Sequence, residues 1–168
     1  MKLLSSSLLL ARIRGVDIRF HFSMLFTLPI AYFLFRPTDV REIIGALFWL
    51  IGFVLCIFLH EVGHAAAAQL AGVEVKSIVI WLLGGLTNFA RKSEKPSHNL
   101  AISAAGPLVN MLLGFFSVLG YVLLSIFFFH FQRNAEIFIW GQTFINLFFS
   151  LAVVNIILIV FNLLPIYP

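Results

Sequence analysis

Residues 43–71 read IIGALFWLIGFVLCIFLHEVGHAAAAQLA, and the only formally charged residue in that run is Glu61. A helix needs about 20 mostly apolar residues to cross about 30 Å of hydrocarbon. The stretch is therefore read as a membrane span with a polar motif inside it. That motif is His60-Glu61-Val62-Gly63-His64, an H-E-x-x-H pentad. Residues four apart lie one turn apart on the same helix face, so both imidazoles reach one metal ion. Two histidines, a further carboxylate and an open water position make a catalytic zinc site. Glu61 stands next to the first ligand, placed to take a proton from the zinc-bound water, whose pKa the metal lowers toward about 7. Two histidines packed by chance among helices are the plainer alternative. An ionisable group at a helix centre costs about 2.5–3.5 kcal/mol on insertion scales, so three within five positions favour a site.

The rest of the composition agrees with a membrane setting. The chain has 168 residues, 61% hydrophobic, with 20 phenylalanines and only 11% charged residues. An ordinary soluble domain has about 25% charged residues. There is not enough polar sequence here to coat a soluble core. A soluble enzyme, a disordered chain and a nucleic-acid-binding module are excluded. The net charge of +4 comes from basic residues at the ends of apolar runs, where membrane topology accounts for them. Cys56 is the single cysteine, so no internal disulfide forms. It sits about 12 Å along the helix from His64, too far for one tetrahedral ion, and is read as a packing residue. Leu8 to Ala11 is too short an apolar stretch for a signal peptide, and Arg12 and Arg14 follow it.

Working outward, the expected architecture is an all-α polytopic membrane protein with about four transmembrane helices. Residues 1–19 are expected to be a cytosolic N-terminal segment, and 20–168 the membrane core. The spans fall at about 20–35, 43–71, 100–129 and 137–164. The first is short and holds Pro29, and Val16 to Phe22 alternates like a strand. Residues 73–90 read as a small membrane-associated β-hairpin bent at Gly84-Gly85. Such a loop is allowed at membrane depth if its backbone is satisfied internally. Lys2, Arg12, Arg14 and Arg19 precede the first span, and Lys76, Arg91, Lys92 and Lys95 precede the third. The positive-inside rule then puts the N-terminus in the cytosol. His60 lies 17 residues beyond Ile43, about 26 Å along a helix and toward the cytosolic side. Pro165 and Pro168 should end or unwind the last helix.

The chain resembles the site-2 protease family of intramembrane zinc metalloproteases (peptidase M50) over most of its length. Residues 60–65 (HEVGHA) look like the family's zinc motif, and Leu83-Gly84-Gly85 like the glycine pair of its hairpin. Residues 105–110 (AGPLVN) look like its third-span motif and 161–168 (FNLLPIYP) like the start of its fourth-span motif. The latter is especially similar to the branch that processes sporulation factors. Residues 14–23 look more like the branch carrying C-terminal CBS domains. The resemblance implies one zinc ion and hydrolysis of peptide bonds within or near transmembrane segments, as in regulated intramembrane proteolysis. The implied substrates are single-span proteins held in the lipid bilayer of a prokaryotic cell membrane, with no nucleic acid bound. A regulatory subunit or CBS domains are left open. In the family the fourth-span motif continues with Leu-Asp-Gly-Gly, whose aspartate is the third ligand. The chain is therefore expected to be a piece ending just before that ligand, and inactive or nearly so as written.

Other polar residues have two readings each. Gly106-Pro107 should kink the third span and admit a close backbone. Asn110 shares that face; it either steadies the oxyanion at the zinc site, as the resemblance suggests, or makes an interhelical hydrogen bond. Asn155 is a candidate for holding substrate or water. Asn162 is read as capping the helix end before Pro165. His21, His98 and His130 fall near span ends and are read as interfacial. An extended substrate would pair with a strand edge over about Ile78 to Phe89, with Gly84 and Gly85 permitting close approach. Two non-protease readings stay open: a membrane metal-binding or transport scaffold, and an inactive relative that binds membrane helices.

Overall fold

In a computed structural model the described residues are 6–91, 93–129 and 135–163. The chain begins with strands β1 (Ser7–Ile13) and β2 (Val16–His21), then a 3-10 turn at Phe22–Phe26 and helix α1 (Thr27–Phe35). Helix α2 (Val40–Leu70) follows, then β3 (Val75–Trp81), β4 (Gly84–Phe89), α3 (Pro96–Phe129) and α4 (Ala135–Leu163). Helices α2, α3 and α4 are long and apolar enough to cross a membrane; among the described residues no other helix is.

Two expectations are corrected. The fold is not all-α with a lone hairpin, because the N-terminal strands join the hairpin in one four-stranded sheet of order β1-β2-β3-β4. Val16 and Ile18 are buried while Asp17 and Arg19 alternate with them, which gives β2 one apolar face. β2 runs parallel to β3, with Asp17–Phe20 opposite Ser77–Ile80. β1 returns on β2 through a two-residue turn at Arg14 and Gly15, both at positive φ (+50° and +83°). Positive φ at both central positions is what the twist of a tight hairpin demands, and glycine adopts it freely. Arg12 Nε donates to the facing Asp17 carboxylate at 2.6 Å.

The second correction concerns the first span. Phe20 and His21 belong to β2, and the segment after them is divided between the 3-10 turn and a nine-residue α-helix. Together they make one apolar helix, Phe22–Phe35, which rises about 24 Å and falls short of the hydrocarbon thickness. Pro29 sits in the first turn of α1, where its missing N–H removes no helix bond. Helix α3 passes through Pro107 unbroken.

Asp39 caps α2 by accepting from Glu42 N at 2.8 Å, and Glu42 reaches back to Thr38 N at 2.7 Å. The buried residues of α2 are Trp49, Cys56, Ile57, His60, Glu61, Ala65 and Ala68, a stripe at helical spacing. Its N-terminal half packs on α1, where Phe35 meets Trp49 edge-on at 5.4 Å. Its C-terminal half packs on the sheet through Ile57, Ala65, Ala68, Ile78 and Ile80. The motif of α2 is thus clamped between the sheet and helix α3.

Candidate metal centre

His60, Glu61 and His64 are the one group of three metal-capable side chains among the described residues; their ligand atoms lie within 4.8 Å of one another. The helix spacing brings the two Nε2 atoms to 3.0 Å, with the ring planes at 82°. His64 Nδ1 lies 2.7 Å from the carbonyl oxygen of Ile102 on α3. A carbonyl only accepts, so that contact puts the His64 proton on Nδ1 and leaves Nε2 a lone pair. Among the described residues His60 has no such contact to fix its proton, so its Nε2 either donates to His64 Nε2 at 3.0 Å or, with the proton on Nδ1, leaves a second lone pair beside the first. In the second tautomer the two nitrogens and the neighbouring carboxylate make a donor set that fits a divalent metal. His60 Nδ1 is buried with no partner among the described residues.

Glycines make the site possible by their size. A Cβ on Gly106 of α3 would stand 2.3 Å from His64 Nε2 and 2.7 Å from His60 Nε2. A Cβ on Gly85 of β4 would stand 2.1 Å from Glu61 Cγ. A Cβ on Gly63 would meet the Ala105 carbonyl oxygen at 2.9 Å, so α2 and α3 approach closely beside the motif. All four distances are below what real Cβ atoms tolerate. Thr87 Oγ1 donates to Glu61 Oε2 at 2.7 Å, tying the carboxylate to strand β4.

A cavity of about 410 Å³ opens beside this cluster. His60, Glu61 and His64 line it together with Gly84 and Gly85. Asn110 and Asn155, both read as candidates for the reacting groups, have no exposed surface and lie outside the cavity wall. Asn110 stands beside His60, and neither of its amide atoms has a partner among the described residues. Asn155 donates to Cys56 Sγ at 3.3 Å and to the Leu151 carbonyl at 2.9 Å, one turn away from His60. Cys56 packs as expected, in the cluster of Ala31, Trp49 and Val154.

Asn162 lies one residue before the last residue of α4, at the helix end as expected, and it also lines the cavity with His60. Pro165, Pro168 and His130 lie outside the described residues. The proposed strand edge is also narrower than expected. β3 is paired on both sides, so only Gly84–Phe89 is an edge. Thr87 and Trp81 were not singled out from sequence. Thr87 follows Gly85 by two residues, and that period of two in a strand puts both on the face toward Glu61.

Residues 48–168 match the sequence signature of peptidase family M50. The Mycobacterium tuberculosis protein Rip3, named as a zinc metalloprotease, is 32% identical over 168 residues, covering 93% of this chain and 39% of that protein. The zinc metalloprotease MJ0392 of Methanocaldococcus jannaschii is 29% identical, over 96% of this chain and 42% of its own length. The chain thus spans about two fifths of the length of these relatives. A solved site-2 protease from Methanocaldococcus jannaschii superposes with a TM-score of 0.63 at 26% identity, covering 96% of this chain and 66% of that one.

Proposed function

This chain belongs to peptidase family M50, the zinc metalloproteases that include the site-2 proteases, and from that membership we propose that it is the catalytic portion of an intramembrane endopeptidase. Its substrates are single-span membrane proteins, cut within or near their transmembrane segments. His60 and His64 hold one zinc ion through Nε2, and the aspartate that the family pattern places after Pro168 completes the ligand set. When bound, the ion acidifies a water molecule and polarises the scissile carbonyl. Glu61, its Oε2 tied to Thr87, is the general base that takes the proton of the attacking water and passes it to the leaving amine. The observation that supports this most is the pair of Nε2 atoms 3.0 Å apart beside a buried carboxylate on a cavity wall.

The substrate must be extended, because a membrane helix hides its amides in its own hydrogen bonds. Strand β4 is an edge that lines the cavity, so it offers an unwound segment backbone partners beside Glu61. The N-terminus faces the cytosol on the charge pattern, and the protein resides in a prokaryotic cell membrane. A transport scaffold would need a second station along its path, and the described residues hold one metal-capable group of three.

The test is the full-length protein beside E61Q, assayed for zinc content and for cleavage of single-span membrane substrates. Equal zinc in both, with cleavage lost in E61Q by about a hundredfold or more, is the expected result. Zinc bound by both with no cleavage by either would move the scaffold reading ahead.

A further inference from the structure

Glu61 is 4% exposed, and Thr87 faces its carboxylate with a short hydroxyl hydrogen bond at 2.7 Å and with its backbone N–H. The same hydroxyl lies 3.4 Å from the Glu61 backbone carbonyl oxygen. The hydroxyl is the short contact of the two, and a short donor to a buried carboxylate biases its rotamer. Two residues earlier on the same strand, Gly85 has no side chain, and the space a Cβ would need is taken by Glu61 itself, from Cγ at 2.1 Å to Oε1 at 2.6 Å. One strand thus holds one carboxylate oxygen and makes room for the rest of the side chain.

We propose that Thr87 is a positioning residue for Glu61: its hydroxyl holds Oε2 so that Oε1 faces the reacting water. The inference rests on the protease reading above and deepens it. It makes the strand expected to receive the substrate also the strand that aims the base. Because β3 is the only strand paired with β4 among the described residues, the aim of Glu61 depends on the sheet as well as on helix α2.

T87V replaces the hydroxyl by a methyl of nearly equal size and removes only the donor; T87A is read in parallel in case valine misfolds. In the full-length zinc-loaded protein, T87V is expected to lower kcat by about tenfold to a hundredfold. KM and zinc content stay at the parent level, and T87S restores most of the rate. A second readout does not use activity. The infrared carboxyl band of Glu61, identified by its loss in E61Q, shifts in T87V and not in T87S. An unmoved band with parental kcat overturns the proposal. So does a loss confined to KM, zinc content or yield, since that marks a structural threonine. An E61Q protein that still cleaves at the parent rate instead overturns the general-base reading itself, whatever Thr87 does.

Discussion

At the residue scale the pentad was legible because two histidines and a glutamate in an apolar run have few other uses. What surrounds them was less so. The sequence assigns Gly106-Pro107 a kink and a close approach; the structure shows the approach at Gly106 as a size requirement, because both imidazoles occupy the space a side chain would need. G106A is therefore expected to weaken zinc binding by about tenfold or more, read by chelator competition. G114A is the matched control, since its Cβ meets Asn155 Cβ at an ordinary 3.5 Å. Parental zinc affinity in G106A would show that the histidines turn away at no cost. Asn110 and Asn155 illustrate why a polar residue in a span is ambiguous. Its face follows from spacing, but whether that face meets a cavity or a neighbouring helix depends on packing from elsewhere in the chain.

At the element scale the test falls on β4 and on the start of α2. Along an edge strand, alternate N–H groups point to the neighbour and to the open side. Proline at positions whose N–H faces the open side should cut cleavage while zinc content stays constant. Proline in the other set should break pairing with β3 and lower both. Unchanged cleavage with open-side prolines would sink substrate pairing at this edge. The cap of α2 responds to acid. The Glu42 amide donates to Asp39, and the Arg41 guanidinium lies against it, so its carboxyl titrates below the usual aspartate value. A lowered value means the stabilisation is complete above the unfolded pKa of about 3.9 and is lost as pH falls through the folded one. Amide exchange in the first turn of α2, corrected for intrinsic rates, should rise below about pH 4 in the parent. In D39N that acid dependence should vanish. The hairpin at 75–89 was readable from its strand-glycine-strand pattern, and the alternation in 16–22 hinted at a strand. Their union was not readable, because period-two patterning identifies a strand and says nothing of its partner.

At the scale of the whole molecule, the sheet links the N-terminal strands to Glu61. Removing residues 1–13 takes away only β1, the outer strand, whereas removing 1–21 also strips β2 from β3. The shorter deletion should keep most of the cleavage activity. The longer one should lose it while still binding zinc, since both histidines sit on α2. Equal activity in both would mean that β3 and β4 hold Glu61 unaided. The count of long spans was nearly right from hydropathy, and the error at 20–35 has a physical source. Apolar composition is shared by a membrane helix and by a strand plus a shorter apolar helix, and length alone separates them. The parallel pairing of β2 with β3 also has a consequence for how the protein is made. Asp17 leaves the ribosome 60 residues before its partner Ser77. At about 5–20 residues per second, the first hairpin waits roughly 3–12 s for a neighbour, while helix α2 is being inserted. Throughout that interval the nascent chain presents an unpaired strand edge, so early assembly is the stage at which a chaperone, or a second nascent copy, can take hold of it.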